Sequence, residues 1–185
     1  MRFPAISLLL LGFMTSVHAA EFSILRPQQS SLAFVSRQMG VSVDGDFKRF
    51  SASITVDPSM PEKGKARIDI DVASIDVGGA EAYEEVVGAS WFDVAKYPNA
   101  SFVSGKVTRI APGRYEVAGK MTIRNVTRDV KALFTLEQKA DTLVIDGALP
   151  IKRLDYAIGS GIWSDTDTVA DEVSIKFHFT LASKM

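Results

Sequence analysis

Apolar and polar residues alternate with a period of two through most of the chain, most clearly in residues 113–153. This stretch contains three alternating segments, each separated from the next by a break of a few residues. A period of two is typical of strands with one buried and one solvated face, and short breaks predict antiparallel neighbours. The predicted inward residues of these three strands are Tyr115, Val117, Gly119, Met121, Ile123, Val130, Ala132, Phe134, Leu136, Leu143, Ile145, Gly147, Leu149 and Ile151.

The same alternation predicts five further strands, at residues 32–40, 43–56, 66–72, 100–110 and 173–181. In the second of these, Phe47 and Phe50 both belong to the apolar set, although their odd spacing would place them on opposite faces. An extra residue in a strand is accommodated by a bulge, so we expect a bulge or bend near Lys48. The sequence therefore predicts eight strands.

Residues 74–99 interrupt the alternation between the third and fourth strands. Within them the apolar residues Ala82, Tyr83, Val86 and Val87 recur at helical spacing and predict one helix. The fold class is thus all-β, with eight antiparallel strands and one helical insertion between strands three and four. Such strands close as a barrel or pack as a sandwich, and the mostly short connections favour an up-and-down order.

Three glycines, Gly45, Gly119 and Gly147, fall on inward positions of the predicted strands. An inward glycine either leaves room in the interior or permits sharp coiling of its strand. A barrel of about eight strands is filled by side chains or holds one small ligand. The alternation alone does not choose between a packed interior and a cavity.

The start of the chain has a different pattern, with a weakly basic beginning followed by an apolar run at residues 6–17. The run is too short to cross a bilayer, and Val17 and Ala19 fit the small-residue pattern of a signal peptidase site. We expect a secretory signal peptide at residues 1–19, cleaved after Ala19. The remainder, residues 20–185, has the length of one domain.

Charge and residue types then restrict the chemistry. The chain has 21 lysines and arginines, 22 aspartates and glutamates, and no cysteine. A net charge close to zero argues against binding of nucleic acid through electrostatic attraction. An exported chain without cysteine has no disulfides and no covalently attached haem, and a periplasmic location follows most simply.

Few residues are available for catalysis or for metal binding. After signal cleavage His178 is the last remaining histidine, and the alternation places it on the outer face. We therefore expect no metal site and no cofactor. Arg153 and Asp155 flank the end of the seventh strand, where they either hydrogen-bond each other to fix a loop or meet the polar end of a ligand.

Several short motifs follow one another along the chain. They are Ser31-Leu32-Ala33-Phe34, Val43-Asp44-Gly45-Asp46-Phe47 with Phe50, Trp91-Phe92-Asp93 with Tyr97-Pro98 and Phe102, Gly119 through Ile123 to Asn125-Val126-Thr127, Arg153-Leu154-Asp155-Tyr156, Ile158-Gly159 with Gly161 and Trp163, and Asp171-Glu172-Val173. In their order and spacing these motifs resemble the YceI family of periplasmic polyisoprenoid-binding proteins. Asn125 departs from the glycine common in the family, and asparagine also tolerates left-handed backbone angles.

The resemblance implies a lipocalin-like eight-stranded barrel whose apolar tunnel holds a long isoprenoid chain, such as a quinone tail or a polyprenyl lipid. The predicted polar ligand-binding residues, at the mouth of the barrel, are Arg153 and Asp155. The predicted tunnel-lining residues are Phe34, Phe47, Phe50, Ile54, Ile68, Ile70, Val117, Met121, Ile123, Phe134, Ile145, Gly147, Leu149, Trp163, Phe177 and Phe179.

Three functions are compatible with these observations. The first is a periplasmic binder or carrier of an isoprenoid lipid or quinone, with no catalysis. The second is an enzyme that acts on a hydrophobic substrate at the barrel mouth with Arg153, Asp155 and Tyr156. The third is a partner protein that presents quinone to a membrane b-type cytochrome. The scarcity of catalytic residue types favours the first.

Overall fold

Most of the chain forms β-strands in the computed structural model, which describes residues 21–184. These strands coincide with the alternation of apolar and polar side chains. The signal peptide predicted at residues 1–19 lies outside the described residues. The strands are β1 (Phe22–Leu25), β2 (Ser31–Gln38), β3 (Val41–Phe47), β4 (Phe50–Thr55), β5 (Lys65–Asp71), β6 (Ile75–Asp76), β7 (Asn99–Ala111), β8 (Arg114–Ile123), β9 (Val126–Lys139), β10 (Thr142–Lys152) and β11 (Glu172–Ser183).

One α-helix, α1 (Ala80–Val87), is present among the described residues. Short 3₁₀ turns occupy Pro27–Gln29, Pro61–Lys63, Val72–Ser74, Arg153–Tyr156 and Gly161–Ser164. No helix within residues 21–184 is long and apolar enough to span a membrane.

All eleven strands belong to one antiparallel sheet, in the order β4-β5-β7-β8-β9-β10-β11-β2-β3-β6, with β1 paired to β11. The sheet curls strongly, as the right-handed twist of strands allows. Its two sides meet at one end, where Phe22 of β1 exchanges backbone hydrogen bonds of 2.9 and 3.0 Å with Val56 just after β4. The result is an all-β curled sheet around a common interior, as the sequence predicts.

The number of strands differs from the predicted eight. The predicted second strand is two strands, β3 and β4, because the chain bends at Lys48 and Arg49, close to the position of the predicted bulge or bend. The strands β1 and β6 are additional, and with four and two residues they are too short for alternation to be recognised. Helix α1 consequently lies between β6 and β7.

The inward residues of the alternating pattern form the core. Burial of each large apolar side chain contributes about 1.5–3 kcal/mol. Buried members from six different strands are Leu32, Ile54, Ile68, Ile70, Val117, Met121, Ile123, Leu143, Ile145, Leu149, Ile151, Phe179 and Leu181. The strand register agrees with this facing, since Ile145 lies opposite Phe179 and Leu149 opposite Ile175.

Phenylalanine rings cover the three inward glycines. The ring of Phe34 lies over Gly45, that of Phe102 over Gly119, and that of Phe177 over Gly147. A Cβ atom at Gly147 would overlap the Phe177 ring and lie 2.6 Å from the carbonyl oxygen of Leu133. Rings over glycines are a known way to support sharply coiled strands. The glycines therefore accommodate neighbouring side chains and do not leave open space.

Replacing Gly147 by alanine should destabilise the protein, because the new methyl group must displace both the Phe177 ring and the β9 backbone. We expect the free energy of unfolding to fall by about 1–3 kcal/mol, measured by urea denaturation. Gly79→Ser is the matched control, since a Cβ atom at Gly79 would have no neighbouring atom within 4 Å. The control should stay within about 0.5 kcal/mol of the wild type. Equal stability of the Gly147 variant would contradict this account.

Candidate ligand-binding cavity

The curled sheet encloses two apolar cavities that share part of their walls. The larger, of about 490 Å³, lies among β2, β3, α1 and the loop that follows β10, and we call it the large chamber. The smaller, of about 100 Å³, lies between the halves of the strands that are farther from α1. We call it the small chamber. Four side chains line both chambers, namely Leu32, Ile70, Met121 and Ile175.

Helix α1 and the segment after it cover the large chamber. The helix begins after Gly79, which is extended, and ends at Gly88. Ala82 and Val86, one turn apart, line the chamber. No residue of α1 is buried, so the helix is a thin cover over the cavity and contributes little to the core.

Fourteen of the sixteen predicted tunnel-lining residues line one of the chambers. Phe34, Phe47, Ile123 and Trp163 line the large one, and Ile70 and Met121 line both. Those lining the small chamber alone are Ile54, Ile68, Val117, Phe134, Ile145, Leu149, Phe177 and Phe179. The two exceptions are Phe50, whose ring packs 5.9 Å from that of Phe179, and Gly147, which lies beneath Phe177.

Helix α1 and the aromatic segment after it belong to the site although no site role is predicted for them from the sequence. Ala82 and Val86 of the helix, with Trp91 and Phe92 beyond it, contribute to the large chamber. The available signal is the apolar stripe on the helix, because an amphipathic helix must cover an apolar surface. The alternating pattern of the sheet carries no information on which part of it the helix covers.

Arg153 is 1 % exposed and holds the loop that forms one wall of the large chamber. A guanidinium has five N–H donors, and each of them meets a backbone carbonyl of this loop. The acceptors are Ala170 at 3.1 Å from Nε, Ile158 at 2.9 Å and Gly159 at 3.1 Å from Nη1, and Trp163 and Val169 at 2.7 Å from Nη2. Burial lowers the pKa of Arg153, while the charge of Asp171 acts in the opposite direction.

The loop is shaped around this guanidinium. Gly159 has a φ of 74°, a left-handed conformation that glycine adopts readily, and a side chain there would overlap Nη1 of Arg153. Asp171 accepts a hydrogen bond of 3.0 Å from the backbone N–H of Leu154. The observed contacts of Arg153 fix the loop, but they go to backbone carbonyls and not to Asp155, the partner predicted for that role.

The other predicted polar residues lie elsewhere. Asp155 is exposed and, with Tyr156, lines an open groove on the outer face of the sheet and neither chamber. Burial raises the pKa of Tyr156 to about 12, so its hydroxyl stays protonated at neutral pH. Arg153, Asp155 and Tyr156 therefore do not face a common space.

Two tryptophans connect the loop to the cover of the large chamber. The indole Nε1 of Trp163 donates a hydrogen bond of 2.6 Å to Glu85 on α1. The rings of Trp163 and Trp91 lie 5.6 Å apart, and the Arg153 guanidinium lies 5.7 Å from the Trp91 ring. The helix, the aromatic segment and the loop are thus joined around the same cavity.

Within residues 21–184, no group of three or more histidine, aspartate or glutamate side chains is arranged to hold a metal ion. His178 is on the outer face, as predicted, where its Nδ1 lies 2.6 Å from a carboxylate oxygen of Asp146.

The fold and the cavity define an all-β protein with an apolar cavity inside a curled sheet. The family model of the YceI-like domain matches residues 24–181. The chain belongs to this family.

Curated relatives of this chain carry the name UPF0312 protein. That of Pseudomonas putida (strain W619) is 36% identical over 127 residues, which cover 65% of this chain and 65% of the relative. That of Yersinia pestis (strain Pestoides F) is 34% identical over 126 residues, which cover 67% of this chain and 63% of the relative. The matches span just under two thirds of the relatives' length.

Solved structures show the same fold. BcnA of Burkholderia cenocepacia superposes with a TM-score of 0.82 at 42% identity, over 84% of this chain and 98% of BcnA. The YCEI protein of Campylobacter jejuni gives 0.65 at 25% identity, over 77% and 85% of the two chains. A polyisoprenoid binding domain from Saccharophagus degradans gives 0.65 at 18% identity, over 90% and 100%, and at this identity the likeness concerns the fold alone.

Replacing Arg153 by methionine should release the loop from the sheet, because five carbonyls lose their donors. Unpaired buried polar groups cost about 1–3 kcal/mol each, so we expect the free energy of unfolding to fall by about 3 kcal/mol or more. Limited proteolysis should then cut first within residues 157–170. Arg109→Met, at an exposed position on β7, is the control and should change stability by about 0.5 kcal/mol at most. Unchanged protection of the loop in Arg153→Met would contradict the assigned role.

Proposed function

We propose that this protein binds the chain of a long isoprenoid lipid, such as a quinone tail or a polyprenyl lipid, and carries it without catalysis. The observation that carries the proposal is the pair of apolar chambers with shared walls at Leu32, Ile70, Met121 and Ile175. Membership of the YceI-like family supports a lipid-binding role. The structural neighbour described as a polyisoprenoid binding domain supports the choice of ligand class.

The walls of both chambers suit a chain without polar groups. Burial of apolar surface contributes about 0.8 kcal/mol for each CH₂ group, so a chain of several isoprene units binds without hydrogen bonds. A polar ligand of the same size would lose its water and find few partners on these walls. The large chamber, at about 490 Å³, falls within the range of small-molecule sites, about 300–1,000 Å³.

The location and the recipient of the lipid are part of the same proposal. The apolar run at residues 6–17 and the small residues around Ala19 support export to the periplasm with cleavage of the signal peptide. Delivery of quinone to a membrane b-type cytochrome is a narrower form of the carrier role, and no feature of the described residues favours it over other recipients. Arg153 lines the large chamber, whereas Asp155 and Tyr156 line the outer groove, and this separation favours binding over catalysis at the mouth.

Ala100 offers a direct test, since it is 6% exposed, pairs with Ile70 and lines the large chamber. In Ala100→Phe, the ring should enter the space proposed for the lipid and abolish binding of an isoprenoid quinone delivered in detergent. The lipid-free variant should unfold within about 1 kcal/mol of the wild type, because the ring fills an existing void. Both tryptophans of the chain, Trp91 and Trp163, line the chamber, so quenching of their fluorescence measures binding.

Ala118→Phe is the control, because Ala118 lies on the outer face of β8 and its variant should bind the quinone like the wild type. Undiminished binding by Ala100→Phe would contradict the proposed location. Unfolding of lipid-free Ala100→Phe beside a stable Ala118→Phe would favour a packed interior over a binding chamber.

A further inference from the structure

Three large apolar side chains project into solvent near one end of the sheet. Met39 is 74% exposed, Val41 67% and Ile162 84%. They are the three most exposed large apolar side chains in residues 21–184. We call them the apolar rim. Such side chains grouped on a surface mark a site of interaction.

The rim adjoins the opening of the large chamber. Arg37, Gln38, Ala82 and Glu85 both line the chamber and reach solvent, so the opening lies between the end of β2 and helix α1. Met39 directly follows these β2 residues, and Val41 pairs with Gln38.

The third rim residue belongs to the same region. Ile162 precedes Trp163, which lines the large chamber. The loop that bears it is fixed to the β2–β3 turn, because the backbone N–H of Met39 donates a hydrogen bond of 2.8 Å to the carbonyl of Thr168. Gln38 and Val169 also form a β-bridge. The rim residues therefore come from two segments that the backbone holds together.

Met39 occupies the first position of the tight turn between β2 and β3. Met39 and Gly40 have φ angles of 48° and 79°, the pair of positive values required by a type I′ turn. Asparagine, aspartate or glycine normally occupies the first of these positions, since other residues are strained there. Methionine thus occupies an unfavourable backbone position with its side chain mostly in solvent. Ala140 has a similar left-handed φ in the β9–β10 turn, so the exposed apolar side chain of Met39, and not its backbone alone, distinguishes this turn.

We propose that the apolar rim inserts into the surface of a lipid bilayer and connects the large chamber to it. This inference rests on the proposed function, because an isoprenoid chain that enters the chamber comes from a membrane. With the rim inserted, the chain passes from the hydrocarbon region into the chamber without exposure to water. Shallow insertion of apolar side chains is a recognised mode of membrane attachment.

The charge of the side chains around the opening indicates which kind of bilayer surface the rim contacts. The charged side chains on the elements around the opening are mainly acidic. One of them, Arg37, is basic. Five are acidic, namely Glu81, Glu84, Glu85, Asp165 and Asp167. Anionic lipids would repel this end of the molecule, especially at low salt. The rim therefore fits a zwitterionic surface and attaches through apolar contact.

The test compares two deliveries of one isoprenoid quinone, from phosphatidylcholine vesicles and from detergent. The rim variant is Met39→Asn, Val41→Thr and Ile162→Gln, in which Asn suits the turn. The matched control replaces exposed apolar residues away from the opening, as Ile24→Thr, Ile110→Thr and Leu133→Thr. The rim variant should take quinone from vesicles at least about tenfold more slowly, with unchanged affinity in detergent. The control should match the wild type in both assays.

Equally fast uptake from vesicles by the rim variant and the wild type would overturn this inference and leave the proposed function intact. Failure of the wild type to bind quinone from detergent would overturn both. Wild-type uptake that requires native membranes, and is lost when these are treated with protease, would assign the rim to a protein partner. That result would overturn the proposed insertion into a bilayer. Faster wild-type uptake from vesicles containing phosphatidylglycerol at low salt would overturn the preference for a zwitterionic surface.

Discussion

The large chamber depends on the buried guanidinium of Arg153. The loop after β10 has little regular structure, so its backbone carbonyls need donors from elsewhere. Arg153 supplies all five of its N–H groups to them. Removing a charge from water is unfavourable, and the complete set of hydrogen bonds offsets this cost. The loop can then present Ile158, Trp163 and Val169 as a fixed apolar wall.

The opposite walls depend on how the sheet curls. Rings placed over inward glycines, such as Phe177 over Gly147, let neighbouring backbones approach closely while the strands coil. The rings remain near the wall of the sheet, and helix α1 covers the chamber without filling it. An apolar interior that is only partly filled by the protein is what a chain-like lipid requires.

Alternation along the sequence is sufficient to predict most strands and the inward facing of residues such as Ile70 and Met121, because side-chain direction in a strand is a local property. Alternation cannot reveal what lies above an inward position, so it places Gly147 on the inner face without showing that the Phe177 ring covers it. The short strands β1 and β6 owe their pairing to distant partners. The separation of Arg153 from Asp155 follows from loop contacts that local pattern does not encode.

The most direct measurement of the central claim is mass spectrometry of lipid extracted from the protein after purification without detergent from a host that makes isoprenoid quinones. We expect close to one isoprenoid lipid per chain, retained through gel filtration. Recovery of the protein without bound lipid, or with a mixture of lipids that lack isoprenoid chains, would contradict it.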